Sequence, residues 1–258
     1  MAYWEDRVSK SQNILTDKRA SAINKQIEKY YKDSMKRVIN AFIETYRSIL
    51  EAGLEDREPT PADLYKLDTY WKMEAELNAE LQKLGNKELL LLNENFINHF
   101  QDIYDSLALP AGAAFSNFSR ENIKQMVNTV WATDGKEWSQ RIWTNNAKLA
   151  ETSNEELLHC VVTGKQPKDL KNLLQERFRV SYQQADTLVR TEMAHIQAQA
   201  AHKRYIDAGI DEFEVWASED ERRCKVCGKL HKKRYPITAN PPIPAHPNCR
   251  CTIIPVIK

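Results

Sequence analysis

From Ile23 onward, apolar residues recur at Ile23, Ile27, Tyr30, Met35, Val38, Phe42, Tyr46 and Ile49, in steps of three, four or five. That spacing keeps one face of a helix apolar, while Lys25, Glu28, Lys32, Lys36 and Arg37 fill the opposite face. One long amphipathic helix is predicted, with Gly53 as its stop. A proline-punctuated turn at 55–61 separates it from a second helix over 64–84, which ends at Gly85. A third helix, over 88–107, ends before Pro110. After the small-residue loop 111–114, the stretch 115–148 carries Trp131, Trp138 and Trp143. Such a set is expected in a core, with an aromatic docking surface as the alternative.

Gly164 separates a helix over 154–162 from a short one over 168–178. Ser181 and Gln184 make a capping-box start for a further helix over 182–208, with Gly209 as its stop. On it Ala185, Leu188, Val189, Ile196 and Ala200 share one face, and Glu192 lies in the middle of that stripe, bordered by His195 and Gln199. A carboxylate there needs a partner, because an unpaired buried charge costs several kcal/mol or more. A cation from the tail, Arg250 or His246, is the expected one; a Glu at the rim of a half-exposed helix is the plainer reading.

Past Gly209 the period changes to two. Phe213, Val215 and Ala217 alternate with Glu214, Trp216 and Ser218, which predicts a strand. Thr252, Ile254 and Val256 alternate with Ile253 and Ile257 in a second strand, which Pro255 suits to a sheet edge. Two strands alone are marginal. They need the 182–208 helix on one face and a clip at the turn.

The 258 residues allow one large or two modest domains. Lys and Arg total 37 against 36 for Asp and Glu, which excludes a uniformly basic nucleic-acid binder but not a local patch. Only seven glycines occur, and six of the ten prolines follow Tyr235, so the front should be helical and the tail loop and strand. Residues 1–10 lack the apolar core of a signal peptide, and no run approaches the roughly eighteen apolar residues needed to span a bilayer. A reducing compartment is expected, where clustered cysteines bind metal more often than they form disulfides. Cys160 stands apart as a small buried apolar residue.

The tail reads Cys224-Lys-Val-Cys227, then His246-Pro-Asn-Cys249-Arg-Cys251. Each short loop lets its end side chains converge on one soft cation, so a structural zinc is predicted on Cys224, Cys227 and Cys249. The fourth ligand is His246 or Cys251, with His246 preferred and His231 a weaker option. Gly228 is expected to allow the turn after the knuckle. Four filled positions make a closed site and imply no catalysis. Between Arg222 and Arg234 lie seven cations with no acid: Arg222, Arg223, Lys225, Lys229, Lys232, Lys233 and Arg234. Six acids in 211–221 could neutralise them across a hairpin; a free patch would instead attract phosphates in a salt-sensitive way. No glycine-rich phosphate loop and no HExxH motif is present.

Taken in order, Arg190-Thr191-Glu192, Trp216, the run from Asp220 to Cys227, Pro241-Pro242 and Ala245-His246-Pro247-Asn248-Cys249-Arg250-Cys251 form a string. It resembles the phage Mu F-like head morphogenesis proteins, minor head proteins of tailed bacteriophages, over roughly 154–258. The Trp4-Glu5-Asp6-Arg7 opening is similar to relatives from phages of low-GC Gram-positive hosts. The resemblance implies a virion component at the portal vertex, assembled in the host cytoplasm. Its implied partners are the portal protein, major capsid or scaffolding proteins and packaged double-stranded DNA. Its implied roles are procapsid assembly and packaging or ejection of DNA. The basic loop before His246 departs from the family pattern.

The fold class expected is mainly α with a small α+β C-terminal domain. A helical N-terminal region spans 1–110, a Trp-rich connector 111–153 and the Mu F-like domain 154–258. A non-enzymatic assembly protein is the leading reading. The alternative is a zinc-finger-like DNA-binding or nuclease module, in which His246 would have to serve as both ligand and base.

Overall fold

A computed structural model describes residues 2–51, 68–107, 117–217 and 223–257. The expected stop at Gly53, the turn at 55–61, the loop at 111–114, Asp220 and Arg222 lie outside the described residues. The elements in chain order are α1 (Ala2–Glu51), α2 (Asp68–Ser106), α3 (Arg120–Val127), α4 (Trp138–Val162), α5 (Pro167–Asp207), β1 (Glu212–Trp216), α6 (Lys225–Leu230), β2 (Arg234–Pro236) and β3 (Thr252–Pro255). Mainly helical with a small antiparallel sheet near the C-terminus, the chain has the class read from its periodicity. Among the described residues no helix is long and apolar enough to cross a membrane.

Several expected helix boundaries are absent. Gly85 does not end a helix; α2 runs through it. A Cβ at that position would lie 2.6 Å from the Trp143 ring and 2.7 Å from the Asn146 amide, so the glycine serves the close approach of α2 and α4. Ser181 and Gln184 likewise start nothing, because α5 is continuous from Pro167. Ser181 is buried in mid-helix, where its carbonyl accepts a hydrogen bond from Asn145 Nδ2 at 3.0 Å. Local cap signals lose to packing here, since a buried helix gains more from continued burial than from a stop.

The chain divides into two compact units. One comprises Lys25–Leu90 and Ser139–Ala185, four helical segments drawn from α1, α2, α4 and α5. Its core is built from Ile27, Tyr31, Val38, Phe42, Tyr46 and Ile49 on α1, Met73, Leu77, Leu81 and Leu84 on α2, Ile142, Leu149, Leu157 and Cys160 on α4, and Leu170, Leu174 and Phe178 on α5. The α1 stripe differs from the expected one at two places. Tyr31 and Ser34 point inward in place of Tyr30 and Met35, which keeps the helical steps at three and four. Each fully buried Phe or Leu contributes about 1.5–3 kcal/mol relative to exposure. Ion pairs such as Arg37–Glu80, at 2.6 Å, rim this core.

The other unit comprises Met1–Asn24, Leu91–Trp138 and Asp186–Lys258. Its sheet has the order β2-β1-β3, and both pairs are antiparallel. Pro255 lies on edge strand β3, as its missing N–H requires, facing Phe213 in register. Strand β2 was not legible, being three residues long. Residues 192–198 of α5 are buried all round rather than along one stripe. The Tyr205 hydroxyl donates to the Ile253 carbonyl at 3.0 Å and ties α5 to β3, while Phe213 stacks on Tyr235. Of the three tryptophans, only Trp138 is a core residue, edge-on to Phe96; Trp131 is half-buried and Trp143 is 36 % exposed.

Candidate metal centre

The knuckle at Cys224–Cys227 opens a helix. Cys224 is the N-cap of α6, and its sulfur accepts the Cys227 N–H at 3.3 Å, so one turn of backbone presents both sulfurs to the same side. Gly228 lies within that helix without a positive φ, so the turn does not depend on it. The left-handed positions are instead Lys232 (φ 62°) and Asn248 (φ 60°). Asn248 folds the second loop back: Cys249 N–H reaches the His246 carbonyl at 3.2 Å, and Asn248 N–H is held by Thr191 Oγ1 of α5 at 3.1 Å.

This turn carries His246 to the knuckle. Its Nε2 lies 3.3 Å from Cys224 Sγ and 3.0 Å from Cys227 Sγ, and Cys249 Sγ lies 3.7 Å from Cys227 Sγ. Tetrahedral zinc with ordinary bond lengths has S···S edges of about 3.8 Å and S···N edges of about 3.6 Å, so the donors are spaced to take the ion with small adjustments. His246 Nδ1 donates to the Pro247 carbonyl at 2.8 Å, which turns Nε2 toward the two sulfurs. The donor atoms of Cys224, Cys227 and His246 lie within 4.8 Å of one another, and so do those of Cys227, Cys249 and Cys251. Cys227 belongs to both groups. The cluster could hold a metal ion.

The ionisable groups of the cluster shift one another. The Cys251 thiol hydrogen-bonds to Cys249 and draws it down to about 5, a thiolate at neutral pH. Cys251 is itself raised, first by that bond and then by burial. The backbone N–H of Cys227 lowers Cys224, while burial pushes Cys227 up to about 12. Burial pulls His246 down, but the Pro247 carbonyl and the neighbouring sulfurs of Cys249 and Cys224 outweigh it, and the imidazole is raised on balance. His231 takes no part: its Nδ1 accepts the Ala217 N–H at 3.2 Å, and its ring packs on Trp216.

A cavity of about 690 Å³ adjoins the cluster, walled by α1 and α5 and by the loop from His246 to Cys251. Here Arg250 reaches Asp17 at 3.0 Å. Glu192, only 2 % exposed, accepts the Trp131 indole N–H at 2.9 Å, and Trp131 stacks on His195 at 4.2 Å. Neither Trp131 nor Asp17 was singled out from the sequence as a partner, since both are remote in the chain. The basic run surrounds α6: Arg223, Lys225, Lys229, Lys232 and Lys233 are exposed, and Lys232 lies over the Trp216 ring. Arg234 pairs with Glu214 across the β1–β2 ladder at 3.2 Å, so hairpin neutralisation is realised at that position.

A small α+β module with a Cys/His cluster joining two distant loops thus follows the helical front. Residues 151–254 match the model of the family described as Phage Mu protein F like protein. This stretch holds the helix, strands and Cys/His loops from which the resemblance was read, and the match supports a phage head morphogenesis protein. Comparison with curated proteins gives no match. Comparison with solved structures gives none either.

Proposed function

We propose that the chain is a non-enzymatic minor capsid protein of a tailed bacteriophage. It sits at the portal vertex and acts in procapsid assembly and in packaging or ejection of DNA, with assembly in the host cytoplasm. The observation that carries the reading is the match over 151–254 together with the convergence of Cys224, Cys227, His246 and Cys249. These four are the proposed ligands of a structural zinc. Cys251 acts as donor to the Cys249 sulfur and stands as the alternative fourth ligand. Bound zinc would supply a fixed charge and a cross-link between the two loops. Two contacts favour this ligand set: the Pro247 carbonyl orients His246, and the Thr191 hydroxyl holds the loop at Asn248. A Glu192–Arg250 pair, added to the contacts of each with Trp131 and Asp17, is part of the same proposal.

The partners are the portal protein and major capsid or scaffolding subunits. Co-purification of the full-length protein with the portal from infected cells tests this. Retention on capsid shells that lack a portal, with none on the portal itself, would overturn the vertex assignment. A contact with packaged double-stranded DNA is favoured by the exposed cations Arg223, Lys225, Lys229, Lys232 and Lys233, held in one place by the knuckle; Arg222 continues that run in sequence. Affinity for duplex DNA should fall with the logarithm of salt with a slope near −0.9 per phosphate neutralised, roughly −3 to −5 in all. Binding indifferent to salt, or unchanged when Lys225 and Lys229 become Ala, would remove the DNA contact.

A further inference from the structure

The four-helix unit holds a polar layer to which each helix contributes one side chain: Tyr31 from α1, Glu88 from α2 and Ser181 from α5, all buried, and the half-buried Asn145 from α4. Asn145 Nδ2 donates to the Tyr31 oxygen at 2.9 Å and to the Ser181 carbonyl at 3.0 Å, and Ser181 Oγ donates to the Tyr31 oxygen at 3.4 Å. With its oxygen accepting from both, Tyr31 has its own proton left for Glu88. Glu88 is 1 % exposed and its Oε1 has no hydrogen-bond partner. Among the described residues Tyr31 is the titratable group that bears on it, and no Lys, Arg or His does. Asn145 and Ser181, from the other two helices, carry no charge. Asn146, packed against Gly85, leaves both its amide atoms without a partner.

A carboxylate in this place would have one hydroxyl donor and no counter-ion, a cost of several kcal/mol, whereas a carboxylic acid is neutral and can stay. The layer therefore tolerates Glu88 as the neutral acid and disfavours the carboxylate. Burial raises Glu88 to about 8, opposed by the bond from Tyr31. We propose that this layer is a proton-held clasp: the four helices stay closed while Glu88 keeps its proton and loosen when a rise in pH removes it. The sign follows from the direction of the shift. A folded-state value above the ordinary 4.5 means the stabilisation is fully present below 4.5 and is lost as pH rises through about 8.

Hydrogen exchange of the full-length protein between pH 6 and 9, corrected for intrinsic exchange rates, reads the clasp directly. Opening of peptides from 25–49 and 139–162 should rise by up to about tenfold per pH unit and level off above 8 in the native protein. In Glu88→Gln it should be flat. Equal slopes in the two proteins would overturn the proposal. Should Glu88→Gln fail to fold, the native protein and Tyr31→Phe carry the test by infrared titration. A carboxylic C=O band that disappears near pH 8, and near a higher pH in Tyr31→Phe, supports the clasp. Absence of that band at pH 7 sinks it.

Discussion

The two units bury opposite kinds of titratable group. In the unit that carries the tail, His99 is fully buried, and burial, aided by the charge of Arg19, lowers it to about 3. Its Nε2 lies 3.2 Å from Thr16 Oγ1, which donates to Gln197, so the imidazole is held as a neutral member of a polar network. In the four-helix unit Glu88 is kept neutral by the same desolvation, acting on an acid. One physical cause, the exclusion of charge from a poorly solvating interior, thus makes one unit sensitive to acid and the other to base. The means of cohesion differ too. The four-helix unit rests on hydrocarbon spread over four helices, whereas the tail has three short strands, ties such as Tyr205 to Ile253, and a cluster of sulfur and nitrogen donors.

The largest test of this contrast is Cys227→Ser, which removes the sulfur common to both donor groups. A structural zinc contributes on the order of 10 kcal/mol in small metal domains, so if the proposed zinc is held there, the variant should bind none and the strands Glu212–Trp216 and Thr252–Pro255 should lose exchange protection. Protection in 25–49 should persist. Strands that remain protected after loss of metal would show that the sheet does not depend on the clip. Next in size, Phe42→Ala should cost about 3–5 kcal/mol and act on the four-helix unit. Its metal content should stay that of the native protein, measured by elemental analysis alongside thermal unfolding.

Acidification from pH 7 to 5 should move the units in opposite directions. His99 is depressed below its ordinary 6.5, so its contribution is intact above 6.5 and falls by about 2 kcal/mol by pH 5. Glu88 is raised above 4.5, so its unit gains about 2 kcal/mol over the same interval. Peptide-resolved exchange distinguishes the two, and His99→Gln should flatten the first response alone. The smallest effect is expected at Asp17→Ala. Its partly exposed pair with Arg250 is a surface contact, worth about 1 kcal/mol or less by chemical denaturation. Arg250→Ala should cost more and couple to Glu192→Gln in a double-mutant cycle; additive losses in that cycle would remove the proposed Glu192–Arg250 pair.

Helical content, the strand at 213–217, the edge position of Pro255 and burial of Cys160 were legible because each follows from short-range pattern or from one residue's chemistry. The spacing of Cys and His within each tail loop was legible for the same reason, since it is local. What misled were local signals that packing overrules, Gly85 and Ser181 as helix boundaries and Tyr30 and Met35 as core positions. A single glycine or serine weighs about 1 kcal/mol, less than the burial a continuous helix retains.

Periodicity and ligand spacing by themselves determined that this protein is a helical chain ending in a small α+β module with converging soft donors. Separately, the ordered string of residues resembles the Mu F-like pattern within the stretch 151–254 that the family model matches. Only the tertiary structure decided that His246 meets both sulfurs of the knuckle, that Trp131 and Asp17 receive Glu192 and Arg250, and that a neutral acid closes a layer across four helices. Those facts depend on which remote residues share a few ångströms of space. Burial then sets their protonation, and neither distance nor burial is written in the order of residues along the chain.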